Sequence, residues 1–268
     1  MVDVVSDARL PMISLSASAR IIDAANPRTK WVFKTPQSDT LMADAIAVSM
    51  KANGVHTMGY IGFADAYGDS WLDEMKNSLK TAGVAIVAAE KYNRNDTSVT
   101  GQVLKLIAAH PDAILVGASG TPAATPQKEL VARGYKGRST RRTASPTPTS
   151  CASSGPMLVY EQLPDSNPLK KSAAVYVTQY EKRFGTRSTF GGHAWDAWQL
   201  LNQAIPVALR SGKPGTQAFR TGLRDAPESA NVVGVHGVFV MTPHDHNGLD
   251  NRGRVMVKIE NGKWVLQK

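Results

Sequence analysis

Between Gln37 and Lys136 the chain alternates short apolar runs with amphipathic stretches, and this alternation limits the fold more than any other feature. Ser38 is placed to cap a helix with Leu41, Met42, Ala45, Ile46 and Met50 on one face, and Gly54 suits its end. Met58 to Ile61 reads as a short strand. Asp69 or Ser70 then opens a second helix, with Trp71, Leu72, Met75 and Leu79 on one stripe and Gly83 as its stop. The unit repeats: Val84 to Ala89 reads as a strand, and Val99, Val103, Leu106 and Ile107 mark a helix ending at His110-Pro111. Ala113 to Val116 reads as a buried strand, and a last helix runs from after Thr121-Pro122 to Gly134. Strand and helix alternating in this way predict an α/β fold, a parallel sheet covered on both faces with right-handed crossovers.

The flanks extend the pattern. Pro11 to Leu15 and Trp31 to Lys34 read as strands joined by a loop of small and polar residues. Leu169 to Phe184 reads as a long amphipathic helix, with Tyr176, Val177, Tyr180 and Phe184 at helical spacing, and a further helix spans about Ala194 to Leu209. The remainder reads as strand: Val235 to Met241, Val255 to Ile259 and Trp264 to Leu266. Asn261-Gly262 between the last two suits a type I′ hairpin turn, because both residues accept positive φ.

Composition removes several classes of function. No run approaches the roughly 18 apolar residues of a membrane helix. Met1 to Arg9 lacks the basic start and apolar core of a secretory signal. The single cysteine, Cys151, excludes an internal disulfide and a multi-cysteine zinc site. The net charge is +9, and Arg133, Lys136, Arg138, Arg141 and Arg142 supply five positive charges with no acid between them. Only Tyr135 interleaves that cluster, so a solvated basic stretch is favoured over a nucleic-acid footprint. No Gly-x-Ser-x-Gly elbow supports a hydrolase triad around His193 and Asp196, and no Gly-x-Gly-x-x-Gly follows a strand, so no cofactor is expected. His244-Asp245-His246 with Asp250 has metal-ligand chemistry, but Pro243, Asn247 and Gly248 make it a turn between strands; no metal is expected there.

One stretch departs from its surroundings. Residues 138–154, RSTRRTASPTPTSCASS, contain no apolar residue larger than alanine or cysteine, and low complexity of this kind predicts disorder or irregular structure.

PMISLSASARI, WVFKTPQSDTLMADAI and GYIGFADAYGDSWLDEM together resemble the bacterial periplasmic solute-binding proteins of branched-chain amino-acid ABC transporters, the leucine/isoleucine/valine-binding group. GGHAWDAWQLL and HNGLDNRGRVMVKIENGKWVLQ are similar to members of the same family, and the resemblance spans the chain apart from about residues 138–154. It implies a two-lobe periplasmic binding protein type I fold that closes over a small ligand, with three crossing strands. Residues 1–35 and 155–231 would form a partial first lobe, and 36–154 and 232–268 the second. The family begins with a signal peptide and roughly 100 residues of strand–helix repeats, so the expectation is an N-terminally truncated chain with an incomplete first lobe. Residues 138–154 fall where the family has an ordered strand and loop, which favours a local reading-frame shift over a flexible linker.

The resemblance implies a substrate-binding component, not an enzyme, which passes a branched-chain or other hydrophobic amino acid, or a related small carboxylate, to an inner-membrane ABC permease. It also implies a periplasmic location and a monomer without nucleic-acid partners. The ligand's carboxylate and amino group would meet Ser16 and Ser18, with the backbone around Ala17, at a strand-to-helix turn where unpaired donors suit an anion. From spacing alone these are helix-capping serines in a polar loop. Ala66 and Tyr67, at the end of a parallel strand, match the position from which the family's second lobe covers the ligand with an aromatic ring. Without the resemblance Tyr67 is an exposed residue at a helix start. Ser119 ends the next strand on the same edge, where the family carries aromatic contacts and this chain has small residues that leave room for a bulkier ligand. The rival readings are an α/β hydrolase or dehydrogenase and a cytoplasmic ligand-sensing regulator.

Overall fold

The computed structural model describes residues 1–141, 150–152, 155–187, 189–260 and 263–267. They form two compact units: residues 1–38 with 154–254, and residues 39–153 with 255–268.

In chain order, the first unit opens with α1 (Val2–Asp7), β1 (Met12–Ser14) and β2 (Val32–Lys34). The second unit follows with α2 (Asp39–Ala52), β3 (Thr57–Phe63), α3 (Ala66–Ala82), β4 (Ala85–Tyr92), α4 (Thr100–Ala108), β5 (Ala113–Gly117), α5 (Ala124–Ala132), β6 (Arg138–Arg141) and β7 (Ser150–Ala152). The chain returns to the first unit for α6 (Gly155–Leu158), α7 (Pro168–Phe184), α8 (Thr189–Ser211), α9 (Gln217–Asp225), β8 (Asn231–Val233) and β9 (Val238–Val240). It ends in the second unit with β10 (Val255–Glu260) and β11 (Lys263–Leu266). No helix among the described residues is long and apolar enough to cross a membrane.

The second unit is built on a parallel sheet of order β4-β3-β5-β6. Its central strands send alternate residues to opposite faces, as the period of two demands. Met58, Tyr60, Ala113 and Leu115 join Met42, Ile46, Trp71 and Met75 in one core. Ile61, Phe63, Ile114 and Val116 join Val103, Leu106 and Leu130 in the other. β4 lies at the sheet's edge, and its residues alternate between exposed and half-buried up to Tyr92. β10 pairs antiparallel with both β11 and β7.

In the first unit β1 pairs parallel with β2, Met12 opposite Val32. The other edge of β2 meets the loop after β9: the Lys34 N–H donates to the His246 carbonyl (3.1 Å), and Asn247 Nδ2 donates to the carbonyls of Lys34 (3.1 Å) and Pro36 (3.0 Å). Phe33, Leu200, Val232, Phe239 and Met241 form one core here, and Met157, Ala173, Tyr176, Val177 and Val235 another.

Four sequence expectations change. Residues 232–254 lie in the first unit, not the second, because Val232, Phe239 and Met241 pack with Phe33. The helix expected to open at Asp69 or Ser70 begins at Ala66, because the Asp65 carboxylate accepts the Tyr67 and Gly68 N–H groups and caps it earlier. The strand expected from Val235 begins at Val238, since Gly234 donates to Gly237 (2.9 Å) across a tight turn that holds Val235 and His236. Within the stretch expected to be irregular, Arg138–Arg141 extend the parallel sheet beside β5, and Ser150–Ala152 pair with β10. Strand pairing draws on backbone donors and acceptors, which a Ser/Thr/Arg-rich segment supplies as well as an apolar one. Residues 142–149 and 153–154, like the Asn261-Gly262 turn, lie outside the described residues.

Candidate functional site

The C-terminal edge of the parallel sheet carries three of the expected positions. Gly62 of β3 is paired with Gly117 of β5, so the segments that follow, Ala64 to Tyr67 and Ala118 to Gly120, leave neighbouring strands on one edge. Open α/β sheets place ligands at such an edge. Ala66 is exposed there, while Tyr67 and Ser119 are half-buried.

Tyr67 is held from several sides. Its N–H donates to Asp65 Oδ1 (3.0 Å), and Asp65 Oδ2 receives Arg94 Nε (2.7 Å). The Arg94 guanidinium lies over the Phe63 ring at 4.0 Å and 5.9 Å from the Tyr67 centroid, a cation–π arrangement that ties both rings to the cap. Burial pushes the Asp65 carboxyl up, but the Gly68 N–H, the Arg94 hydrogen bond and charge, and the Tyr67 N–H outweigh it and hold the group below the usual carboxylate range. Beneath the edge the Tyr60 hydroxyl donates to the Gly68 carbonyl (2.7 Å), and burial drives that phenol far above its ordinary pKa. A Cβ at Gly62 or Gly117 would collide with the Tyr60 ring, so both glycines serve a close approach.

In the first unit, residues Leu15 to Ser18 leave β1 as an irregular segment that leads into a short 3-10 turn. The Ser16 N–H donates to Ser14 Oγ (3.1 Å). Ser16 is exposed, Ala17 buried and Ser18 half-buried. Ser18 precedes a short 3-10 turn, Ala19–Ile22, with no side-chain cap hydrogen bond, so the capping role that spacing suggests is one its hydroxyl does not perform. Below the turn sits Lys34, fully buried, with Nζ donating to the Ala17 carbonyl (2.5 Å) and the Ser18 carbonyl (3.5 Å).

His193 and Asp196 form a separate, buried network with His236. Asp196 accepts the Val235 N–H (2.7 Å), the His236 N–H (3.2 Å) and His236 Nδ1 (2.9 Å). The ligating atoms of the three residues lie within 4.8 Å of one another, the usual proximity for a metal site. The geometry opposes one: the two imidazoles are stacked, centroids 3.8 Å apart and planes 23° from parallel, so their in-plane lone pairs do not converge on a point. Asp196 instead fixes the turn before β9. Likewise Asp245 Oδ1 accepts the N–H groups of Asn247 (2.9 Å) and Gly248 (3.0 Å), and His246 stacks on Phe33 while bonding the Val32 carbonyl (2.9 Å) and Glu228 (3.2 Å). That His-Asp-His motif builds the turn against β2.

Sequence reasoning missed Lys34, Asp65 and Arg94. A lone lysine ending the apolar run Trp31-Val32-Phe33, and an aspartate placed to cap the helix after β3, were the legible signals among them.

Comparison with known proteins agrees with the fold. The chain belongs to the periplasmic binding protein family, which it matches over residues 1–263. An extracellular ligand-binding receptor from Rhodopseudomonas palustris HaA2 is 39% identical, covers 100% of this chain and 78% of its own, and superposes with a TM-score of 0.92. Another extracellular ligand-binding receptor from Rhodopseudomonas palustris is 38% identical over 100% of this chain and 77% of its own, with a TM-score of 0.91. A substrate-binding protein of an ABC transporter from Desulfitobacterium hafniense, solved with Leu, is 19% identical over 99% of this chain and 76% of its own (TM-score 0.72), and shares the fold. So does a solute-binding protein of an ABC transporter from Rhodopseudomonas palustris, solved with benzoate, at 18% over 99% and 72% (TM-score 0.79). No curated protein matches the chain.

The fold is thus the periplasmic binding protein type I fold, and the chain is a ligand-binding protein of that family. The family is one of periplasmic or extracellular ligand-binding receptors, not of enzymes.

Proposed function

We propose that this chain is the substrate-binding component of an ABC importer and takes a hydrophobic amino acid or a related small carboxylate in the periplasm. The observation that carries this reading is the turn after β1, where Ser18 offers a hydroxyl without a capping role and Ser16 lies exposed beside it. Ser16, Ala17 and Ser18 would receive the carboxylate through hydroxyl and backbone donors, which suit an anion. In the second unit, taken by itself, Ala66 and Tyr67 would offer the sheet's C-terminal edge to an apolar group, with Ser119 as a polar contact. Leucine and benzoate, held by two proteins of this fold, are both small monocarboxylates with an apolar body. The small residues Ser119 and Gly120, half-buried and exposed at that edge, would leave room for a bulkier group.

The test is a thermal-shift and calorimetry panel of L-leucine, L-isoleucine, L-valine, benzoate and neutral monosaccharides on the purified chain. Stabilisation by carboxylates and not by sugars is expected, weakened in Ser18→Ala. Stabilisation by a sugar alone would overturn the reading.

A further inference from the structure

We infer that Lys34 is the positioning residue of the carboxylate-binding turn, and that the ligand's anionic group is therefore essential to recognition. The inference rests on the proposed role of Ser16 to Ser18 and adds a residue and a charge requirement to it. Lys34 ends β2, directly beside β1, where Ser14 and Lys34 are register partners. Its side chain is fully buried. Burying an ammonium is expensive unless its hydrogen bonds are supplied. Here the Ala17 and Ser18 carbonyls accept from it, the first at 2.5 Å and the second at 3.5 Å.

That contact dictates which way the turn faces. In a planar trans peptide the carbonyl of one residue and the N–H of the next point in opposite directions. With the Ala17 carbonyl drawn to Lys34, the Ser18 N–H is aimed to the opposite side of that peptide. The lysine thus turns carbonyl oxygens, which repel an anion, inward and leaves a donor facing outward. As an ammonium, Lys34 would also place a positive charge beneath the turn, roughly the thickness of one peptide layer from a carboxylate bound above it. At about 7 Å and an effective dielectric near 20, an attraction of that size is worth roughly ten- to fiftyfold in affinity. A neutral amide of the same shape gains none of it.

The experiment compares matched pairs, benzoate with benzamide and L-leucine with L-leucinamide, by calorimetry and ligand-observed NMR up to millimolar concentration. In the wild-type chain the carboxylate of at least one pair should bind ten- to fiftyfold more tightly than its amide; equal affinities overturn the inference. Lys34→Met should remove that preference while Lys34→Arg, which keeps charge and donors, retains it. A Lys34→Met protein that folds and keeps the full preference also overturns the inference, leaving the carboxylate reading of the turn intact. Should Lys34→Met fail to fold, the wild-type pairs and Lys34→Arg decide the matter. Failure of every carboxylate to bind the wild type overturns the proposed function and the role of Lys34 with it.

Discussion

The Tyr60 hydroxyl donates to the Gly68 carbonyl at 2.7 Å, tying the middle of β3 to the first turn of α3. Tyr67 stands in that same turn, so its placement depends in part on the Tyr60 phenol. Tyr60→Phe removes the donor and leaves a buried carbonyl without it. The expected loss is about 1–3 kcal/mol in urea unfolding, with a smaller effect on ligand affinity. An unchanged midpoint would count against the bond.

Gly117→Ala presents a Cβ to the Tyr60 ring at a site where the backbone of β5 is held by pairing with Gly62 of β3. Overpacking of this kind costs about 1–3 kcal/mol. The double variant Gly117→Ala with Tyr60→Leu should recover part of that loss, and a double-mutant cycle with no coupling would refute the contact.

The carboxyl of Asp65 is held below its unfolded value near 3.9, chiefly because the Gly68 N–H and Arg94 overcome the opposing effect of burial. A depressed carboxylate contributes stability that is complete above the unfolded pKa and lost as pH falls through the lower folded value. Chemical-denaturation midpoints followed from pH 6 to pH 2 should therefore fall less in Asp65→Asn than in the wild type. Identical slopes would show that the cap and the Arg94 contact do not bias ionisation.

Tyr67→Ala should weaken carboxylate binding by roughly tenfold or more, the scale of losing one packed aromatic contact. Its effect on the melting temperature should be modest, because the ring is only half-buried. Titration of the variant with the ligand that binds wild type checks this, and unaltered affinity would remove Tyr67 from the site.

Asp196→Asn should destabilise the first unit by about 1–3 kcal/mol, since one of the oxygens that accept Val235 and His236 becomes a donor. Adding zinc or EDTA should leave the wild-type melting temperature where it is. A zinc-dependent rise would show that the stacked histidines rearrange to bind metal.

How far the sequence foretold these features follows from what each depends on. The helices α2 and α7 and the strands β3 and β5 were legible because their apolar residues repeat at the period of the element, and burial then selects one face. The start of α3 was not, because two acidic residues, Asp65 and Asp69, both stand where a cap is plausible and only the folded turn selects between them. β6 was hidden because a sheet edge accepts a strand on its backbone alone. Ser16, Ser18 and Tyr67 stand as candidates through family resemblance, and remain proposals. Asp65 acts locally as a cap, whereas Lys34 and Arg94 reach across distant chain segments that no local pattern joins. The stacking of His193 on His236 was invisible for the same reason.

The chain leaves the first unit after Ser38, returns near Ser154 and leaves again after Arg254. A ribosome making this protein therefore emits the parallel sheet β3 to β6 as one uninterrupted nascent segment, while β1 and β2 wait for α8 and β9 to supply their core. The second unit in turn waits for β10, whose Val257 pairs with Ser150, before β7 has a neighbour on that side. Neither unit corresponds to a single stretch of message, so a simple truncation cannot isolate either of them. An engineer who wants one alone must join two separated stretches of the chain.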